Sequence, residues 1–183
     1  MIYIISDVKK SLGLEWVIKK IKLKYNLRII LINSKNSSFE KWLNSQGIYY
    51  INIDYNNKFL DFFPALIRVL NFIIKNRSNL VHCHLRKASI IGLLASYILQ
   101  IKKRVYTRHH GIESQDEILE SFIDKIVFWL ATDIITISSE IKNITLSSNK
   151  TNCKKTNTIY HGFNLNYFKN NSRNLKLIKR KYK

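Results

Sequence analysis

The stretch RVYTRHHGIESQDEILESFIDKIVFWLATDIITIS, residues 104–138, reads as a strand, a helix and a second strand. Its ends, RVYTR (104–108) and DIITIS (133–138), are short runs bearing β-branched and aromatic residues, the composition of strands. Between them lies SQDEILESFIDKIVFWLA, where Ser114 stands three residues before Glu117 in the pattern of a capping box. Ile118, Leu119, Phe122, Ile123, Ile126 and Val127 then fall on one helical face. Antiparallel neighbours need only a tight turn, whereas parallel strands need a crossover of about this length. The stretch is therefore expected to be a β-α-β crossover in a parallel sheet.

The same alternation runs outward in both directions. IYIIS (2–6), LRIILIN (27–33), IYYINI (48–53), LVHCH (80–84) and TNTIY (156–160) complete a set of seven expected strands. Most are too uniformly apolar for a sheet with one wet face, which points to strands buried on both sides. Expected helices are SSFEKWL, with Ser37 and Glu40 as its capping box, KFLDFFPALIRVLNFIIKNR, and the buried run ASIIGLLASYILQI (88–101). Pro64 is expected in the first turn of the second of these, or at a kink. SDVKKSLGLEW (6–16) reads as a loop and SSNKTNCKKTN (147–157) as a solvated surface loop. The order specifies an α/β, Rossmann-like, doubly wound and mainly parallel sheet of about seven strands.

The charge is less ordinary than the pattern. Across 183 residues, 31 Lys+Arg against 12 Asp+Glu give a formal net charge of +19. Such a field attracts polyanions, whether nucleic acid, anionic lipid or phosphorylated substrates. A basic nucleic-acid-binding α/β module is accordingly the alternative reading, although the aromatics lie within apolar runs and not among Lys and Arg. Cys83 and Cys153 lie far apart, without metal-ligand spacing, and suit reduced thiols in a cytoplasm. The opening residues show no signal-peptide pattern, and the run at 88–101 falls short of the roughly twenty residues a membrane span needs.

Doubly wound sheets bind ligands beyond the carboxyl ends of their strands. Ser6, His82, His84, Arg108, His109, His110, His161 and Gly162 all sit at or near such ends, and they include all five histidines of the chain. An imidazole there can take or donate a proton to a substrate hydroxyl, and Arg108 can fork onto a phosphate or carboxylate. The same residues also suit polar strand ends satisfying nearby backbone groups, and the pattern alone leaves both readings open. His82-Cys83-His84 lacks the further ligands at close spacing that zinc requires, so no metal site is expected. The first loop holds only Gly13 where a dinucleotide fingerprint needs three glycines, and there is no phosphate loop, nucleophile elbow or carboxylate pair.

Together, LVHCH, VYTRHHG, ATDIITISSEI and TIYHGFNLNYF resemble the amino-terminal half of family 4 glycosyltransferases. The matching positions are His82-Cys83-His84, Thr107-Arg108-His109, Ala131-Thr132-Asp133-Ile134-Ile135 with Ser138 or Ser139, and His161-Gly162-Phe163-Asn164 with Phe168. Two features differ: Gly13 stands alone where many members have paired glycines, and Thr132 separates Ala131 from Asp133. The resemblance implies the GT-B architecture, two Rossmann-like domains facing across a cleft. Residues 1–168 would be the acceptor-binding domain, and 169–183, with seven cations, a basic tail or the start of an interdomain linker. A donor-binding domain or chain would be the separate partner.

The resemblance further implies transfer of a sugar from a nucleotide sugar to a glycan or lipid-linked acceptor, with retention of anomeric configuration, no cofactor and no bound metal. His109 would be the catalytic residue. Arg108, His110, His84 and Ser6 would bind acceptor, Gly13 would lie on the donor-side loop, and His161, Gly162 and Asn164 would form the interdomain hinge. The chain alone would bind acceptor and turn over no donor. Such an enzyme would be cytoplasmic and peripheral on the inner membrane face, and Phe59 to Lys75, through Phe62, Phe63, Leu66, Ile67 and Leu70, is a candidate interfacial segment, although a buried core face is the commoner explanation of the same pattern. Nucleic acid is not expected as its partner.

Overall fold

The computed structural model describes residues 1–55, 59–109, 117–149 and 153–162. Its strands are β1 (Ile2–Ser6), β2 (Arg28–Ile32), β3 (Tyr50–Ile53), β4 (Leu80–His84), β5 (Lys103–Arg108), β6 (Asp133–Thr136) and β7 (Thr156–Thr158). Between them run α1 (Leu12–Lys22), α2 (Ser38–Ser45), α3 (Phe59–Lys75), α4 (Arg86–Ile98), α5 (Glu117–Leu130) and α6 (Ser139–Asn149). A 3-10 turn, Cys153–Lys155, leads into β7. The seven strands lie in the order β3-β2-β1-β4-β5-β6-β7, and every neighbouring pair is parallel. The chain winds from β1 out to β3, returns through α3 to lay β4 beside β1, and winds out the other way. The switch point thus falls between β1 and β4, where Ile5 pairs with His84.

Alternation along the strands sorts the core into two layers. Ile2, Ile4, Val81, Cys83 and Tyr106 pack against Val69, Ile73, Ile91 and Val127 from α3, α4 and α5. Tyr3, Ile5, Ile29 and Leu31 pack against Leu14, Ile18, Phe39 and Leu43 from α1 and α2. On this second side the buried apolar cluster takes no residue from β4 to β7 among the described residues. The faces of β4 and β5 that continue the sheet there carry polar side chains.

The first layer is tightest at Gly92, midway along α4. A Cβ there would stand 2.6 Å from Cys83 Sγ and 2.7 Å from Ile4 Cδ1. Only a glycine lets α4 lie this close over β1 and β4. Gly92→Val is expected to destabilise the fold by about 3 kcal/mol through overpacking, read as a lower urea midpoint at unchanged slope.

Some expectations need correction. Residues 6–16 are not all loop: Ser11 caps α1, its Oγ accepting from the Leu14 N–H at 3.4 Å. Residues 147–157 are not all loop either, since α6 reaches Asn149 and β7 begins at Thr156. Of the two places expected for Pro64 the first turn is excluded, since it lies inside α3 on the exposed side. The capping box at Ser37 is half of one: Ser37 Oγ accepts from the Glu40 N–H, but the Glu40 carboxylate accepts from the Asn36 N–H. On α5 the inward face is Ile123, Val127 and Leu130, whereas Phe122 and Ile126 are exposed. Ser114 and its capping position lie outside the described residues. No helix among the described residues is long and apolar enough to cross a membrane.

Candidate functional site

The site grows out of the last residues of β4 and β5. His82 and His84 alternate with buried Cys83 and so face the same way, into the side left open by α1 and α2. Their ring centroids are 4.2 Å apart, and the Tyr3 ring lies 4.8 Å from one and 5.1 Å from the other. The parallel register sets His84 beside Thr107, and Thr107 Oγ1 reaches His82 Nε2 at 2.7 Å. Two residues on, His109 meets His84, with Nε2 at 3.3 Å from Nδ1. The His109 ring in turn lies 5.6 Å from that of exposed His161, which follows β7. A Cβ on Gly13 would stand 3.8 Å from His161 Nδ1, so His161 also covers the first turn of α1.

Four imidazoles therefore run in file from the buried sheet to its rim. The inner two are held neutral. Burial, with His109 nearby, pushes His82 down to about 3, and burial with three neighbouring histidines holds His84 well below the usual imidazole range. Burial also raises the Tyr3 hydroxyl to about 12, so it stays protonated. Between His84 and His109 one nitrogen must donate and the other accept. His84 Nε2 is buried with no hydrogen-bond partner.

Acid should undo this arrangement. The unfolded chain takes up a proton on each histidine below about pH 6.5, whereas folded His82 and His84 stay neutral to far lower pH. Their contribution is complete above pH 6.5 and lost as pH falls, by about 2 kcal/mol for His82 at pH 5, with His84 acting in the same direction. Urea midpoints should hold steady from pH 8 to 7 and drop by pH 5, and His82→Gln should flatten that drop.

The remaining expected site residues divide. His84, His109, His161 and Gly13 come together at the rim. Arg108 does not join them: it points to the opposite face of β5, where Nη1 pairs with Asp124 Oδ2 at 2.8 Å and the guanidinium lies 5.3 Å from the Phe128 ring centroid. Ser6 shares its side of the sheet with Ile4 by alternation, and its buried Oγ has no hydrogen-bond partner. Gly162 is exposed at the rim. His110 and Asn164 lie outside the described residues. Tyr3 and Asp124 were not anticipated, and Thr107 only as a motif position; register and pairing reveal their contacts. Among the described residues no three of His, Cys, Asp and Glu converge as a set for a metal ion.

Against this geometry, residues 22–167 match the family model Glycosyltransferase Family 4. The chain belongs to glycosyltransferase family 4. A curated relative, the capsular polysaccharide biosynthesis glycosyltransferase CapM of Staphylococcus aureus, is 29% identical over 89 residues, covering 46% of this chain and 23% of CapM. A glycosyltransferase from Rickettsia africae superposes with a TM-score of 0.74 at 21% identity, over 99% of this chain and 48% of that one. HepE of Anabaena, solved in complex with UDP, superposes with a TM-score of 0.68 at 20% identity, over 90% of this chain and 45% of that one. The family 4 chain thus spans about half the length of its structural neighbours and less of CapM, and it has the fold of the amino-terminal GT-B domain.

Proposed function

We propose that this chain is the acceptor-side domain of a glycosyltransferase that moves a sugar from a nucleotide sugar to a hydroxyl of a glycan or lipid-linked acceptor. The observation that carries the reading is the file of imidazoles ending at the rim, at the switch point where doubly wound folds bind ligands. His109 is the proposed catalytic residue, half-buried between His84 and His161. Its ring is placed to hydrogen-bond the acceptor hydroxyl or the reacting sugar as the new bond forms. His84, through its Nδ1 contact, orients that ring, and Gly13, covered by His161, is proposed to lie on the donor-side loop. Proposed for His161, Gly162 and Asn164 is the hinge, and for His110 a place in the acceptor pocket. Residues 1–168 are proposed as this domain, and 169–183 as a basic tail or the start of an interdomain linker.

The donor would be held by a second domain or chain, whose cationic and backbone donors stabilise the leaving phosphate. HepE has been solved with UDP-glucose, and a nucleotide sugar is the donor class proposed here; it is a substrate, and no cofactor is assigned to this chain. A cytoplasmic enzyme working as a peripheral protein on the inner membrane face fits a net charge of +19. The test is sugar transfer by the purified 183-residue chain, alone and mixed with a donor-binding half. No turnover alone and turnover on mixing is the expected result; measurable transfer by the chain alone would overturn it.

A further inference from the structure

Ser6 ends β1 fully buried, and its Oγ has no hydrogen-bond partner. A buried hydroxyl left so costs stability unless something satisfies it. What lies over it follows from register. Gly92 of α4 lies over Ile4, and Ser6 is two residues, about 6.6 Å, nearer the carboxyl edge on the same face. Helix α4 runs back over β4 and β1 and rises about 1.5 Å per residue, so this distance leads back to Ala88 and Lys87. The ion pair of Asp7, beside Ser6, with Lys87 at 2.9 Å fixes the same alignment. The Ser6 hydroxyl therefore sits beneath the first turn of α4.

That turn gathers donors and positive charge. Leu85 stands at its N-cap, where the side chain caps nothing, and it is held at φ 70, ψ 167, a region costly to any residue but glycine. The N–H groups of Arg86, Lys87 and Ala88 precede the first helical bond, from Ser89 N–H to Leu85 O. The first turn has no acidic residue, and Arg86 and Lys87 set two cations at the positive end of the helix dipole, where each is unfavourable without an anion between them. Ser89 Oγ, in the same turn, donates to Arg86 O at 2.7 Å and leaves Ser6 unserved. The side chains of Lys87 and Asp7 are 25% and 44% exposed, so the turn opens to solvent.

We propose that Ser6 and the first turn of α4 form a subsite for a phosphoryl group carried by the acceptor. Ser6 Oγ donates to one oxygen and the helix N–H groups to a second. The Lys87 ammonium has three protons, spends one on Asp7 and turns another to the anion. Donors arriving from a strand end, a helix axis and a side chain suit a tetrahedral group better than a flat carboxylate. The turn follows His84 directly, so the subsite adjoins the histidine rim without using its imidazoles. Asp7 places Lys87 but also repels the anion, which limits affinity. Assigning the phosphoryl group to the acceptor rests on the proposed function; the subsite itself does not.

The test is titration of the 183-residue chain with inorganic phosphate and with glucose 6-phosphate, followed by the amide NMR signals of residues 86–88. Both should move the Lys87 and Ala88 signals saturably, and glucose should not. Ser6→Ala should weaken binding about tenfold, the worth of a hydrogen bond to a charged group, and Lys87→Met similarly. Asp7→Asn, which tolerates the same positive φ, should tighten it severalfold. Lys20→Met, exposed on α1, should change nothing, which separates a built subsite from general attraction to a net charge of +19. Ser6→Ala should also melt at the wild-type temperature or above, since it removes an unmet buried hydroxyl. A lower melting temperature with unchanged phosphate binding would show a water-held structural hydroxyl and overturn the proposal, as would signals indifferent to all three site substitutions. Tighter Ser6-dependent binding of UDP than of glucose 6-phosphate would give the subsite to the donor and overturn its assignment to the acceptor. Turnover on mixing the two halves, without phosphate binding here, loses this inference alone; phosphate binding as expected, without turnover, loses the proposed function alone.

Discussion

Replacing His109 by alanine in the complete enzyme is expected to lower kcat by about 10²- to 10⁴-fold, the range of a positioned acid–base group. The reason is geometric. His109 is the first residue of the imidazole file that is not fully buried, and it is fixed from beneath by His84 at 3.3 Å and flanked by His161. A ring so held can meet a ligand at the rim without the entropy loss of being ordered at that moment. Because the donor nucleotide is proposed to sit on the facing domain, its dissociation constant should change by less than about twofold, well within the free energy of a single lost contact. Isothermal titration with nucleotide sugar, beside initial rates, separates the two quantities. A variant that keeps its kcat, or that loses donor affinity in proportion, would show that the ring does something else.

Asp124→Ala is expected to cost about 3 kcal/mol of stability, because it takes a carboxylate partner from a buried guanidinium. Arg108 is 6% exposed, and its pairing with Asp124 ties β5 to α5 on the side away from the histidines. The Phe128 face leaves the cation partly compensated, but a ring offers no fork of acceptors. Arg108→Met with Asp124→Leu should recover most of the loss, since apolar replacement of both partners removes the buried charge. Urea unfolding of the single and double variants measures this. The double variant should also retain acceptor affinity, which distinguishes a brace between elements from the acceptor contact that the position of Arg108 in sequence suggests.

Much of the fold was legible because apolar strand-like runs recur from residue 1 to β7 with apolar or amphipathic helical segments between most of them. The parallel order followed from the crossover lengths, and the rim histidines followed from where the strands end. Three things were hidden, each for a physical reason. Arg108 and His109 are adjacent at a strand end, so a reading by position pools them, while the two-residue period of the strand sends them to opposite faces. Helices α1 and α6 were missed because their polar residues, LGLEWVIKKIK and SEIKNITLSSN, give weak stripes, and short side-chain caps at Ser11 and Ser138 start them. The outer stripe of α3, exposed Leu60, Phe63, Ile67 and Ile74 beside core-facing Phe62, Leu66 and Leu70, was blurred because a helix apolar on two sides has no single face for periodicity to find. Partners across strands, such as Thr107 with His82, become visible only once register is known.

The imidazole file as the acceptor wall of a cleft is tested most directly by nitrogen-15 NMR of the histidine rings in the 183-residue chain. Adding the acceptor that supports transfer should shift the His109 and His161 ring signals while His82, buried behind them, moves little; a nucleotide sugar added alone should move none. Ring signals that respond to the nucleotide sugar and ignore the acceptor would contradict the assignment of this rim to the acceptor.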